Sequence, residues 1–427
     1  MQTTEQENLK TFDELGLSQK LLKSIKEAGY KDPTKIQSLA IPQILQRKDV
    51  IGLSQTGTGK TASFVLPMVC LLESGRARAR MPRSLILEPT RELAAQVRDS
   101  INKYCKEIKL NLALLIGGES IDNQARKLTA GVDILIATPG RLIDHIKRGN
   151  LLLNSIEILV IDEADRMLDM GFISDIEKIM ETLPSNPLTL LFSATMPAPI
   201  KKLSAKYLKN PVTIEATQQS TAAETIKQIW IKSSDGFENK KKVLLTLLNR
   251  EKSQIINSII FCNRKTDGNK INKWLVENNF SSAVLHGDIH QHVRTRTLSK
   301  FKKGDIQLLV ATDIAARGLD IADVGYVFNF DLPQNKEDYI HRIGRTGRAG
   351  KLGKAFNIAT SEDSVKTKEI EKMTGSKIKW TNLSIPAPQK NSSPKNEKPP
   401  KPIKNEPTIG FGDHLPQFIL NSINSDK

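Results

Sequence analysis

The sequence predicts an α/β protein of two tandem domains, each a parallel sheet flanked by helices, followed by a tail that does not fold alone. Three observations predict it. Short Val/Ile/Leu runs recur, each ending in a polar, glycine-rich or acidic residue; charged stretches at helical spacing separate them; and the pattern occurs twice along 427 residues. Continuous apolar runs mark strands buried on both faces, and their alternation with helices makes those strands parallel. A chain this long exceeds what one core serves, so two domains of roughly 150 to 200 residues are expected.

Residues 1–9 read as a polar arm, and the first domain is expected over 10–213. Its strands are DVIGL before Ser54, SLILE before Pro89, VDILIA before Thr138, EILVI before Asp162 and LTLLF before Ser193, with helices at Arg91 to Tyr104 and Ser174 to Thr182. Ligands of open sheets bind beyond the carboxyl ends of the strands, and the polar clusters that end these runs lie there. The polar, aperiodic stretch 214–225 reads as a linker. The second domain, 226–383, repeats the pattern with SIIF before Cys262, SAVL before His286, IQLLVA before Thr312 and YVFNF before Asp331. Two such sheets on a short linker face each other across a cleft. In the tail, 384–427, PAPQKNSSPKNEKPPKPIKNEP is dominated by Pro, Lys and Asn and buries too little apolar surface to fold; GFGDHLPQFIL is a small apolar island after it.

The 63 Lys+Arg against 47 Asp+Glu give a formal charge of +16, which favours a polyanionic partner through counterion release. An anionic membrane surface or plain solubility is also compatible with that charge. No apolar run approaches the roughly 18 to 20 residues that span a bilayer, and the opening MQTTEQENLK is not signal-like, so a soluble, unprocessed cytoplasmic protein is expected. Cys70, Cys105 and Cys262 are isolated and odd in number, which suits a reducing compartment and argues against a zinc site or disulfide framework.

Three strings carry chemistry. Ser54-Gln55-Thr56-Gly57-Thr58-Gly59-Lys60-Thr61 follows a strand and opens a helix, the context in which a glycine-rich loop cradles phosphates. Gly57 and Gly59 admit the phosphates to backbone N–H groups, Lys60 reaches the β and γ groups, and the Thr61 hydroxyl can ligate Mg²⁺. Asp162-Glu163-Ala164-Asp165 ends a buried strand. Asp162 is expected to hold Mg²⁺ and Glu163 to orient and deprotonate the attacking water. An acidic tetrad alone is more often a solvated turn; the strand and the phosphate loop favour catalysis. In His341-Arg-Ile-Gly-Arg-Thr-Gly-Arg348, Arg345 and Arg348 are candidate arginine fingers for the γ-phosphate, against the plainer reading of a basic turn for phosphates of a nucleic acid.

Together these strings resemble the DEAD-box RNA helicases, and the resemblance covers Phe12 to about Leu383. It implies two RecA-like domains, ATP and Mg²⁺ as ligands, and local unwinding of short RNA duplexes without sequence choice. Gly29 to Gln37 is similar to the family's adenine-reading segment: Gln37 would bond the adenine edge, with Phe12 and Tyr30 walling the base. Pro89-Thr90-Arg91-Glu-Leu-Ala94, Gly117-Gly118 and Thr138 to Arg141 match its first-domain RNA segments. Ser193-Ala-Thr195 matches the segment that couples hydrolysis to unwinding through Asp165. In the second domain Ile260 to Asn263, His286 to Asp288, Gln291 with Arg294, and Ala311 to Asp320 match the remaining motifs. There Gly287, Gln291, Arg294 and Thr312 would touch RNA, and Asp320 the ribose of ATP. Asp162 to Phe172 with Ser193-Ala-Thr-Met196 looks most like the bacterial RhlE-type subgroup. Ribosome assembly and RNA turnover are the settings the family implies. With aromatics at 5% of the chain, base stacking is not advertised. Other readings are an RNA clamp with ATPase activity and a DNA-directed translocase. The tail is read as an RNA tether and a docking segment for a protein partner, or as a solubility tail.

Overall fold

The computed structural model describes residues 11–54, 58–216, 226–252, 257–316, 324–347 and 352–381. The expected arm, tail and most of the expected linker lie outside these residues. Residues Met1–Leu383 make one compact unit, within which the described residues form two seven-stranded parallel sheets. The first comprises β1 (Val50–Leu53), β2 (Ser84–Leu87), β3 (Leu112–Leu115), β4 (Ile134–Ala137), β5 (Ile158–Ile161), β6 (Leu188–Ser193) and β7 (Val212–Glu215). The second comprises β8 (Ile226–Lys232), β9 (Ser258–Phe261), β10 (Ser282–Leu285), β11 (Leu308–Ala311), β12 (Tyr326–Asn329), β13 (Gly353–Ala359) and β14 (Trp380–Thr381). Their orders, β3-β4-β2-β5-β6-β1-β7 and β10-β11-β9-β12-β13-β8-β14, are the same permutation. The fold is therefore one architecture used twice, as the two series of apolar runs predict.

Why a continuous apolar run makes a strand here is visible in β5. Ile158 and Val160 enter one core layer, while Leu159 and Ile161 enter the layer on the opposite face. With helices covering both faces, neither side of the pleat meets water. β7 extends past Thr213 to Glu215 by pairing with β1, so the first sheet reaches into the segment expected to be linker. The helix expected at Ser174 to Thr182 runs Ile173–Met180.

The second core is pinned by an ionic hub. Arg342, 1% exposed, donates from Nε and Nη2 to the two carboxylate oxygens of Asp313, each at 2.6 Å, and from Nη2 to Asn263 Oδ1 at 2.8 Å. It also donates to the Asp331 carbonyl and stacks 5.1 Å from the Phe261 ring centre. One side chain thus ties together the loops after β9, β11 and β12. Replacing it by Met leaves the Asp313 carboxylate without its partner, so Arg342→Met is expected to destabilise the second domain by about 3–5 kcal/mol, read from denaturant unfolding. A loss below about 1 kcal/mol would mean that water, which already reaches the half-buried Asp313, screens the pair as it does a surface one.

Candidate functional site

β1 leads into the glycine-rich loop, and the helix Lys60–Leu72 starts at its end. Gly59 caps that helix at φ +92°, so the backbone requires glycine, and a Cβ there would displace the Gln37 amide. Gln37 is held at both ends of its amide: Nε2 donates to the Gly59 carbonyl at 3.1 Å, and Oε1 accepts from Thr34 N at 2.9 Å. Ser54 and Thr58 share a hydroxyl–hydroxyl hydrogen bond. Thr61 is half-buried in the first helical turn. Gln55, Thr56 and Gly57 lie outside the described residues. Phe12 is 5% exposed in the apolar core, and the Tyr30 hydroxyl bonds that of Tyr104 at 3.1 Å beneath Lys103.

At the end of β5, Glu163 adopts φ +52°, ψ +48°, a left-handed conformation that costs a non-glycine residue on the order of 1–3 kcal/mol. The turn aims its carboxylate at Lys60, whose Nζ lies 3.1 Å from Oε1, both groups being buried. The Glu163 N–H donates to Asp162 Oδ1 at 2.8 Å. Burial would raise the Glu163 pKa, but Lys60, Arg166 and His341 outweigh it and hold the carboxylate ionised, well below the usual range. Asp162 goes the other way: burial, with the Glu163 charge, pushes it up to about 7 against the pull of Lys60. Glu88, wholly buried at the end of β2, is raised well above the ordinary carboxyl value by desolvation first and by Asp162 and Glu163 next. Asp165 Oδ2 accepts from Ala194 N at 3.1 Å, Thr195 N at 2.8 Å and Thr195 Oγ1 at 3.0 Å, while Ser193 Oγ accepts from Asp165 N at 3.2 Å. Three hydrogen bonds on one carboxylate oxygen make this a rigid link between the ends of β5 and β6.

Two cavities are each lined from both domains. One, about 540 Å³, has Glu163, Asp165, Arg166 and Thr195 on one side and Asn335 and His341 on the other. Burial and the Arg166 charge lower the His341 pKa, with Glu163 opposing. Arg345, also buried, donates from Nε to the His341 carbonyl at 3.3 Å. Arg348 and Asp320 lie outside the described residues.

The other cavity, about 760 Å³, gathers Pro89, Thr90, Arg91, Gly117, Gly118, Thr138 and Arg141 from the first domain and Gly287, Gln291 and Arg294 from the second. Two helices, Arg91–Tyr104 and Pro139–Lys147, begin there behind Thr90 and Thr138, an arrangement that presents N–H groups to anions. Gly118, at φ +83°, lies so close to Arg91 that a Cβ would meet Nη1 at 2.4 Å. The two walls touch: Arg91 Nη1 donates to Gln291 Oε1 at 3.4 Å and Gln291 Nε2 to Glu92 Oε1 at 3.1 Å. Arg294 Nε stands 2.7 Å from Glu92 Oε1 as an ion pair without hydrogen-bond alignment, and its Nη2 donates to the Ala315 carbonyl at 2.7 Å. Thr312 is not among the lining residues; its carbonyl accepts from Ala315 and Ala316 N–H at the end of β11.

Sequence reasoning missed Glu88, Glu92, Arg166 and Arg342 as site residues. Glu92, Arg166 and Arg342 stand inside strings already singled out, and Glu88 ends the SLILE run at the ligand-bearing edge, which was the available signal.

Residues 34–203 match the family model described as DEAD/DEAH box helicase, and residues 239–350 match the Helicase conserved C-terminal domain. The chain is 42% identical over 370 residues to the DEAD-box ATP-dependent RNA helicase CshA of Bacillus cereus, covering 86% of this chain and 69% of that relative. It is 41% identical over 368 residues to the DEAD-box ATP-dependent RNA helicase RhpA of Helicobacter pylori, covering 86% and 73%. The solved structure of Saccharomyces cerevisiae Dbp5 bound to RNA and ADP BeF3 aligns with a TM-score of 0.77 and 33% identity, covering 88% of this chain and 95% of that one. Twin sheets of one topology, with the ordered motifs on their carboxyl edges, have the same explanation as these matches: the chain belongs to the DEAD-box family of ATP-dependent RNA helicases.

Proposed function

We propose that ATP binds on the loop 54–61 beside Glu163, which also walls the cavity shared with His341, that an RNA strand occupies the cavity between Arg91 and Arg294, and that the two together hold the domains closed. The observation that carries this reading is that each cavity has walls from both domains. A ligand that touches both walls binds the closed form better than the open one, which is the differential affinity that closure requires.

Gln37, fixed against Gly59, reads the adenine edge, and the loop 54–61 receives the phosphates. Lys60 exchanges Glu163 for the β and γ groups. The half-buried Thr61 hydroxyl and the Asp162 carboxylate fit a hard cation because both offer oxygen, and they would hold Mg²⁺. When bound, that ion neutralises charge developing on the phosphate oxygens. Glu163, relieved of Lys60, becomes more basic as nucleotide arrives and takes the proton of the attacking water. Arg345 and Arg348 meet the γ-phosphate from the second domain, Asp320 holds the ribose, and Phe12 and Tyr30 support the adenine side. Asp165, bonded to Ser193 and Thr195, carries the outcome of hydrolysis toward the RNA face.

The RNA contacts go to sugar and phosphate, through Thr90, Arg91, Gly118, Thr138, Arg141, Gly287, Gln291 and Arg294 in that cavity, and through Thr312 outside its lining. This gives affinity without sequence choice, and 2′-hydroxyl contacts favour RNA over DNA. The test is ATP hydrolysis at low salt with no nucleic acid, with single-stranded RNA and with single-stranded DNA of equal length. Strong stimulation by RNA alone is expected. Equal stimulation by DNA would support a translocase, and RNA stimulation without strand separation at any duplex length would support a clamp.

An RhlE-type subgroup assignment and a cytoplasmic setting belong to the same proposal. The first rests on the string Asp162 to Phe172 with Ser193-Ala-Thr-Met196; the second on the three cysteines, which are free. For the tail, RNA tethering and docking of GFGDHLPQFIL on a protein partner would be lost on truncation before Ser384. Unchanged RNA affinity and partner recovery would leave only a solubility role.

A further inference from the structure

β2 pairs with β5 in the register Leu87↔Ile161, which sets Glu88 beside Asp162 at the carboxyl edge of the sheet. Glu88 is 0% exposed, and neither of its carboxyl oxygens has a hydrogen-bond partner. Buried polar groups are almost always partnered, because an unpaired one forfeits its hydration for nothing. The charged groups acting on it are Asp162, Glu163, Lys60 and Arg166, which places its carboxyl among the groups that receive the nucleotide.

Among the described residues no three carboxylate, histidine or cysteine groups converge as a metal cage. Mg²⁺ bound by one or two protein oxygens and substrate phosphates keeps several waters, and those waters need acceptors. We infer that Glu88 is a positioning residue for Mg²⁺ and nucleotide, its orphaned carboxyl group hydrogen-bonding to waters of the cation's hydration shell. The inference rests on the reading of Thr61 and Asp162 as cation ligands. It explains why an acid with no hydrogen-bond partner among the described residues is buried at this position: cation and nucleotide bring the partners.

The experiment measures binding of a fluorescent ATP analogue to the full chain, titrated with Mg²⁺ and repeated in EDTA, for wild type, Glu88→Ala and Glu88→Gln. The Mg²⁺ concentration for half-maximal binding is expected to rise about 10- to 100-fold in Glu88→Ala and less in Glu88→Gln, with binding in EDTA not weakened. Glu88→Gln has nearly the same volume and carries the test if the alanine variant folds poorly. Wild-type Mg²⁺ dependence retained unaltered in the variants would overturn the role of Glu88 alone. A wild type whose binding ignores Mg²⁺ would overturn the ligand reading of Thr61 and Asp162, and this inference with it.

Discussion

Glu163→Gln is expected to lower the RNA-stimulated turnover number by about 10²- to 10⁴-fold while preserving a tight complex with ATP and RNA. The amide is isosteric and leaves the backbone bond from Glu163 N to Asp162 Oδ1 in place, but it has no basic site for the proton of water. It also removes the negative charge that Lys60 faces at 3.1 Å, so Lys60 turns to the phosphates with less competition. Nucleotide affinity should therefore hold or increase as turnover collapses. Steady-state hydrolysis beside equilibrium binding of an ATP analogue, both with RNA, separates the two effects. Turnover within about 10-fold of wild type would remove Glu163 as the base.

Arg345→Ala should cost more, about 10³- to 10⁵-fold in turnover, if its guanidinium meets charge that develops on the transferring phosphoryl group. Such contacts act in the transition state, so the KM for ATP should change far less than kcat. The Arg345 carbonyl, which accepts from Val324 N at 3.1 Å, survives the substitution and limits structural damage. Arg345→Lys keeps the charge but loses the planar fork, and little activity should return. A loss confined to RNA affinity, with kcat intact at saturating RNA, would move Arg345 from the phosphate to the RNA face.

The apolar runs that end at Ser54, Pro89, Thr138, Asp162 and Ser193 are strands because each is buried on both faces, and burial on both faces is legible as an unbroken hydrophobic run. β7 and β8 were not legible in that way. β7 alternates exposed and buried residues, and β8 mixes Lys227 and Gln228 with Trp230 and Ile231 because its sides meet different surroundings. The same distinction applies in the site. Glycine at 59, lysine at 60 and the acids at 162 and 163 follow from the chemistry of phosphate and metal, which limits the residue types that serve.

What the sequence determined by itself was therefore local: two series of buried strands, the polar groups at their carboxyl ends, and the family those groups identify. The tertiary structure decided what is non-local. It set the strand order, in which β8 lies between β13 and β14, because parallel strands choose partners only after crossovers bring distant segments together. It turned Glu163 through a left-handed conformation onto Lys60, gave Arg342 its carboxylate, and left Glu88 buried with no partner. Periodicity reports whether a residue is buried; which group it meets there depends on packing between segments that share no neighbourhood in the chain.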